Sequence, residues 1–99
     1  MFNHRRSREI EDFAISLARE FARRCPPEEK QGRERTELVA RAIDDTCNRA
    51  AAYQREQRLW MYGRAKLGTA FKLELKQIGY SADFVNTLTT QMLLNMSGK

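Results

Sequence analysis

The chain has 99 residues, of which 41% are hydrophobic and 31% are charged, and its formal net charge is +5. This composition fits one soluble domain with a modest core, and no run approaches the ~20 apolar residues of a membrane span. Only two prolines and five glycines interrupt the chain, and no stretch alternates like a strand. We therefore expect a cytoplasmic all-α protein, a small bundle of three or four helices around one long central helix.

The N-terminal segment, residues 1–8, is basic, and we predict that it is a mobile arm. It lacks the apolar run of a signal peptide. The arm carries three arginines, Arg5, Arg6 and Arg8. A first helix follows, with Ser7 as its N-cap residue. Its apolar residues recur at helical spacing: Ile10, Phe13, Ala14, Leu17, Ala18, Phe21 and Ala22. This helix should end before Pro26, because proline disfavours helical geometry in the preceding residue.

The central element is a helical pattern from Thr36 to Ile78. Its apolar stripe is spaced alternately by four and three residues: Val39, Ile43, Thr46, Ala50, Tyr53, Gln57 and Trp60. A helix over residues 34–62 would be about 43 Å long, which exceeds the ~26 Å diameter of a compact domain of this size. Gly63 and Gly68 leave two alternatives, a helix that continues to Ile78 or a break near Gly63. We favour the break, since each glycine costs about 1 kcal/mol relative to alanine.

A clear turn signal follows the central pattern. Gly79 should adopt a positive φ at the end of one helix, and Ser81 should cap the last helix, which runs to about Asn95. Two helices joined by a short glycine turn have the outline of a DNA-binding helix-turn-helix. However, residues 82–91 contain no Arg or Lys, which major-groove readers normally use. We favour an ordinary αα-hairpin.

The expected packing leaves several apolar side chains over, namely Ile15, Leu38, Leu59 and Leu73. We expect the first helix to pack antiparallel on the first part of the long helix, and the hairpin to pack near its other end. The left-over side chains and the length of the stripe predict a partner surface, and a symmetric homodimer is the simplest partner. The single domain should span residues 9–96, and residues 97–99 should fray.

We expect no enzymatic activity. The only histidine, His4, lies in the predicted arm, and no Gly-rich phosphate loop or nucleophile–base set is present. Cys25 and Cys47 do not have the spacing of a metal site, and burial is the favoured role of Cys47. The sequence therefore implies neither a metal nor another cofactor.

The most basic stretch is residues 49–66, with five basic residues and one acidic residue. On a continuous helix, four of its side chains share the face opposite the apolar stripe: Arg55, Arg58, Tyr62 and Lys66. Such a ridge binds phosphates and stacks a base, although cations near a helix C-terminus also complement its dipole. We predict a non-enzymatic interaction or regulatory module that binds other proteins. The alternative is a nucleic-acid-binding accessory protein that uses this ridge and the arm.

Overall fold

The computed structural model describes residues 4–27 and 33–97. It contains four helices, α1 (His4–Arg24), α2 (Arg33–Gln57), α3 (Met61–Ile78) and α4 (Ala82–Ser97). Within these two described ranges there is no strand, so the predicted all-α class and the small helical bundle are confirmed. The molecule is elongated, with extents of 47 × 27 × 19 Å.

Helix α1 begins at His4, so the predicted arm is helical from this residue onward and Ser7 is not an N-cap. Residues 1–3 of that arm lie outside the described ranges. The predicted apolar face is confirmed, since its main side chains are at most 1% exposed: Ile10, Ala14, Leu17, Ala18 and Phe21. The helix ends at Arg24, before Pro26, as predicted.

A single long central helix is not observed. Helix α2 ends at Gln57, α3 begins at Met61, and residues 58–60 join them. Arg58 has a φ of +53°, a conformation that residues other than glycine rarely adopt. The favoured break therefore exists, but it lies at Arg58 and not at Gly63.

Gly63 and Gly68 lie inside α3, and both are buried. A Cβ atom at Gly63 would lie 3.2 Å from Cδ2 of Leu59, and one at Gly68 would lie 3.2 Å from Cδ1 of Leu93. Both distances are shorter than ordinary van der Waals contacts. The two glycines therefore allow close packing of the preceding connection and of α4 against α3, and they do not interrupt the helix.

The predicted apolar stripe is correct along α2 and wrong at the break. Its middle residues in α2 are buried or half-buried: Val39, Ala42, Ile43, Thr46, Ala50 and Tyr53. In contrast, Gln57 is exposed and Trp60 is 81% exposed, because the chain leaves the helical path at Arg58. Leu59, which we expected to remain for a partner, is buried instead.

Helix α1 packs chiefly along α3, and not along the first part of the central pattern as predicted. Two ion pairs join these helices, Glu11 with Lys66 at 3.1 Å and Arg19 with Glu74 at 2.9 Å. Both partners advance by eight residues from the first pair to the second. Helices α1 and α3 therefore run in the same direction.

Helix α1 is antiparallel to α2, as expected, although the two touch less extensively. Phe13 stacks on Tyr53 with ring centroids 3.8 Å apart. Arg24, near the other end of α1, forms a 2.7 Å ion pair with Asp45 of α2. These two contacts tie α1 to α2 along its length, while α4 packs against both α2 and α3.

The predicted C-terminal αα-hairpin is confirmed. Gly79 has a φ of +125°, and its N–H donates a 3.2 Å hydrogen bond to the Leu75 carbonyl at the end of α3. The hydroxyl of Ser81 accepts a 3.2 Å hydrogen bond from the Phe84 N–H and so caps α4. The inner face of α4 is buried in the core: Val85, Leu88, Met92 and Met96. Helix α4 includes Ser97, and the rest of the predicted frayed tail lies outside the described residues.

Candidate nucleic-acid interface

The start of α1 meets the end of α2. The guanidinium of Arg6 donates a hydrogen bond to the backbone carbonyl of Gln57, the last residue of α2. A cation at this position satisfies a carbonyl that has no partner within the helix and complements the negative end of the helix dipole. Arg6 therefore has a structural role that joins α1 to α2.

The start of α3 lies beside the start of α1. Lys66 forms its ion pair with Glu11 at the rim of a shallow depression of about 500 Å³. Five residues line this depression: Arg5, Ser7, Arg8, Glu11 and Lys66. Two arginines of the predicted arm and the last residue of the predicted ridge thus share one surface.

The connection between α2 and α3 forms the rest of this surface. The N–H of Leu59 donates a 3.0 Å hydrogen bond to the Gln54 carbonyl, and the Leu59 side chain is buried. With Leu59 fixed inside, the chain presents Arg58, Trp60 and Met61 outward, and all three are exposed. We call the surface made by residues 4–11 and 54–66 the basic end.

The basic end carries most of the excess positive charge. It contains seven basic and three acidic residues, while the whole chain has a net charge of +5. Helices α1 and α3 both begin there, and neither has an acidic residue in its first turn. The positive ends of two helix dipoles therefore reinforce the side-chain charge, while Arg6 offsets the opposing end of α2.

Most of the exposed arginines at the basic end have no acidic partner. Among the residues that the structure describes, four make no ion pair: Arg5, Arg8, Arg55 and Arg58. Away from this end, three arginines are neutralised in ion pairs, Arg19–Glu74, Arg23–Glu20 and Arg24–Asp45, while Arg41 and Arg49 of α2 are exposed and make none. The basic end therefore groups four of the six exposed arginines that make no ion pair among the side chains that the structure describes.

All seven site residues predicted from the sequence lie at the basic end: Arg5, Arg6, Arg8, Arg55, Arg58, Tyr62 and Lys66. The straight ridge predicted for the last four is not formed, because α2 ends before Arg58. Tyr62 lies in the first turn of α3 and is 59% exposed. Arg6 and Lys66 make the structural contacts described above.

Two exposed side chains at this surface were not predicted from the sequence, Trp60 and Met61, which are 81% and 71% exposed. Helical spacing placed Trp60 on the core stripe. The signal against that placement was the run of four apolar residues 59–62. Four consecutive residues cannot share one side of a helix, so part of this run had to face solvent or end the helix.

The nearby phenol of Tyr53 is held in place by its stacking on Phe13. Burial raises the pKa of Tyr53 above its usual value, the charge of Glu9 raises it further, and Arg6 lowers it. This side chain thus stays neutral at ordinary pH and supports the joint between α1 and α2.

The opposite end of the bundle is lined by aromatic side chains. Phe21, Tyr80 and Phe84 pack together with ring centroids 5.2–5.9 Å apart, beside a cleft of about 490 Å³. The hydroxyl of Tyr80 donates a hydrogen bond to the Cys25 carbonyl. Burial, followed by the charge of a Cys25 thiolate, raises the pKa of Tyr80 to about 12, although Arg35 opposes the shift. These contacts join the hairpin turn to the end of α1.

Neither a metal-binding cluster nor a membrane-spanning helix is found in the part of the chain that the structure describes. There, no three His, Cys, Asp or Glu side chains are grouped so that they could hold a metal ion. None of the described helices has the length and apolar character needed to cross a bilayer. Comparison with known proteins finds no matching family model, no matching curated protein and no matching solved structure.

Proposed function

We propose that this protein is a non-enzymatic module that binds nucleic acid through its basic end. The observation that carries this proposal is the group of exposed arginines without acidic partners: Arg5, Arg8, Arg55 and Arg58. They come from α1, from α2 and from the connection that follows α2, so the fold gathers residues distant in sequence. Guanidinium groups bind phosphate oxygens with two parallel hydrogen bonds.

The aromatic side chain of Tyr62 extends this surface. An exposed aromatic ring beside arginines stacks an unpaired base, which contributes about 1–3 kcal/mol per base. Bases within a duplex are already stacked and offer no free face to such a ring. We therefore expect single-stranded nucleic acid to bind more tightly than a duplex of equal length.

The proposal is tested with the double variant Arg55→Glu and Arg58→Glu. Its affinity for a fluorescent single-stranded oligonucleotide should fall by about tenfold or more at low salt, because two phosphate contacts are replaced by repulsion. The matched control is Arg41→Glu with Lys76→Glu, which changes the net charge equally at exposed positions outside the basic end. Circular dichroism should show unchanged helix content for both variants.

Two results would contradict the proposal. If the two double variants lose affinity equally, net charge alone governs binding and the basic end has no special role. If the wild-type protein binds vesicles of anionic lipid but no oligonucleotide at low salt, its partner is a membrane surface instead. An equal affinity for single strands and duplexes would contradict only the stacking role of Tyr62.

A second candidate is a protein–protein interaction module that acts as a homodimer. It is favoured by large apolar side chains that the fold leaves exposed: Leu38, Trp60, Met61, Leu73 and Leu94. Trp60 and Met61 are adjacent in the chain, while the other three lie on separate helices, and grouped exposed apolar side chains favour an interaction surface. Sedimentation should then give twice the chain mass at micromolar concentration, and a monomer would contradict this proposal.

We place either function in the cytoplasm, which the buried, non-disulfide Cys47 supports.

A further inference from the structure

We propose that the protein dimerises by domain swapping about the connection between α2 and α3. In the swapped dimer these two helices join into one continuous helix through residues 58–60. The α3–α4 half of each copy then packs on the α1–α2 half of the other copy. This inference rests on the self-association proposed above and specifies how the second copy is engaged.

The first observation is the conformation of the connection. It has only three residues, and Arg58 adopts a φ of +53° although it is not glycine. Side chains with a Cβ atom are strained in this region. A continuous helix removes the strain, and short strained hinges favour exchange of identical elements between copies.

The second observation is the phase of the two helices. Tyr53 in α2 and Phe71 in α3 are 18 residues apart, which is five full turns at 3.6 residues per turn. Ala50 and Gly68 have the same separation. Ala50, Tyr53, Gly68 and Phe71 therefore lie on one stripe when residues 58–60 become helical, while the buried Gly63 and Leu67 lie to one side of it.

The third observation is where the helix contacts lie. The most extensive packing joins α1 to α3 and α4 to α2, and both of these pairs connect opposite sides of the hinge. A swapped dimer remakes each of them between copies, including the ion pairs Glu11–Lys66 and Arg19–Glu74. The hairpin turn at Gly79 stays within one half. Opening the hinge therefore keeps the packing between helices once a second copy is present, and it gives up the contacts of the connection itself, the burial of Leu59 and the hydrogen bond from Arg6 to the Gln57 carbonyl.

The exposed apolar residues at the hinge then gain a partner. Trp60 and Met61 are 81% and 71% exposed in the single chain. In a continuous helix, Trp60 follows Tyr53 by seven residues and therefore rejoins the apolar stripe at the middle of the helix. There it faces the second copy. The opposite face of the same helix carries the predicted ridge, so the nucleic-acid surface remains open.

The test compares two substitutions of Met61, the first residue of α3. Met61→Pro is compatible with the single chain, because proline is favoured at the first helical position and Trp60 is extended, with ψ of −168°. The same proline disrupts a helix that continues through this position. Met61→Ala removes the same exposed side chain but allows the continuous helix, and it is the matched control.

The readouts are sedimentation equilibrium and the fluorescence of Trp60, the only tryptophan. We expect the wild type and Met61→Ala to form dimers as concentration rises, with a blue shift of emission as Trp60 leaves water. Met61→Pro should remain monomeric with unshifted emission at the same concentrations, and its circular dichroism should retain the helix content. If the wild type is monomeric at every concentration, both self-association and swapping are wrong.

If the wild type dimerises and the two Met61 variants behave alike, the dimer is not swapped and only this inference fails. A second pair of variants gives an independent check. Arg58→Gly removes the strain of the closed hinge. Each single chain is then favoured about tenfold over its opened form, so the dissociation constant of the two-copy dimer should rise about 100-fold. Arg58→Ala retains that strain and should leave the dissociation constant nearly unchanged. Equal constants for these two variants would also overturn the swap.

Discussion

Replacing Phe71 by alanine tests the hydrophobic core that holds the helices together. Phe71 lies in the middle of α3 and is 0% exposed. A buried aromatic side chain removes about 150 Å² from water, which at about 25 cal/mol per Å² contributes about 4 kcal/mol. Measured losses for buried Phe→Ala substitutions are about 3–5 kcal/mol. We expect Phe71→Ala to lower the free energy of unfolding by this amount.

The assay is urea unfolding followed by circular dichroism. With a slope of about 2 kcal/mol per molar urea, the unfolding midpoint should fall by about 2 M. Leu73→Ala is the matched control, because Leu73 lies in the same helix but is 55% exposed. The control should change the free energy of unfolding by less than about 1 kcal/mol. Equal effects of the two substitutions would refute the assignment of the buried face of α3.

Two further predictions concern the junction between α3 and α4. Ser81→Ala removes the acceptor for the Phe84 N–H and should cost about 1 kcal/mol of unfolding free energy; no change in urea midpoint would contradict the capping role. The pKa of Tyr80 is raised to about 12 in the folded state, so this phenol stabilises the fold below its usual pKa of about 10. This contribution should be lost as pH rises from about 10 to about 12. In Tyr80→Phe the urea midpoint should therefore fall less between these two pH values than in the wild type. An equal fall in both proteins would show that other groups cause it.

Local signals in the sequence predicted much of the fold correctly. The face of α1 followed from its helical spacing, and the hairpin followed from Gly79 and Ser81. Each of these features depends on residues within a few positions of one another. The side-chain pattern of α1 and the chemistry of the turn therefore determine them without knowledge of the tertiary packing.

The break between α2 and α3 was not predictable in the same way. The low helix propensity of glycine indicated a break at Gly63, but Gly63 lies inside α3 and allows close contact with Leu59. The actual break at Arg58 uses a conformation that arginine disfavours, so only tertiary contacts account for it. The misplacement of Trp60 follows directly from this difference.

The site residues were predicted for a reason that is only partly correct. Arg55, Arg58, Tyr62 and Lys66 were grouped on one face of a continuous helix, which the single chain does not contain. They nevertheless lie at one end, because the short connection keeps the end of α2 close to the start of α3. Their proximity to Arg5 and Arg8 depends on the parallel packing of α1 and α3, which no local pattern indicates.

The salt dependence of oligonucleotide binding tests the central claim most directly. Four arginines that each neutralise one phosphate of a single strand predict a slope of about −3 for log K against log salt concentration. The variant Arg55→Glu with Arg58→Glu should show a slope that is shallower by about 1.4. Binding that is absent at low salt, or that does not change with salt, would contradict the proposed function of the basic end.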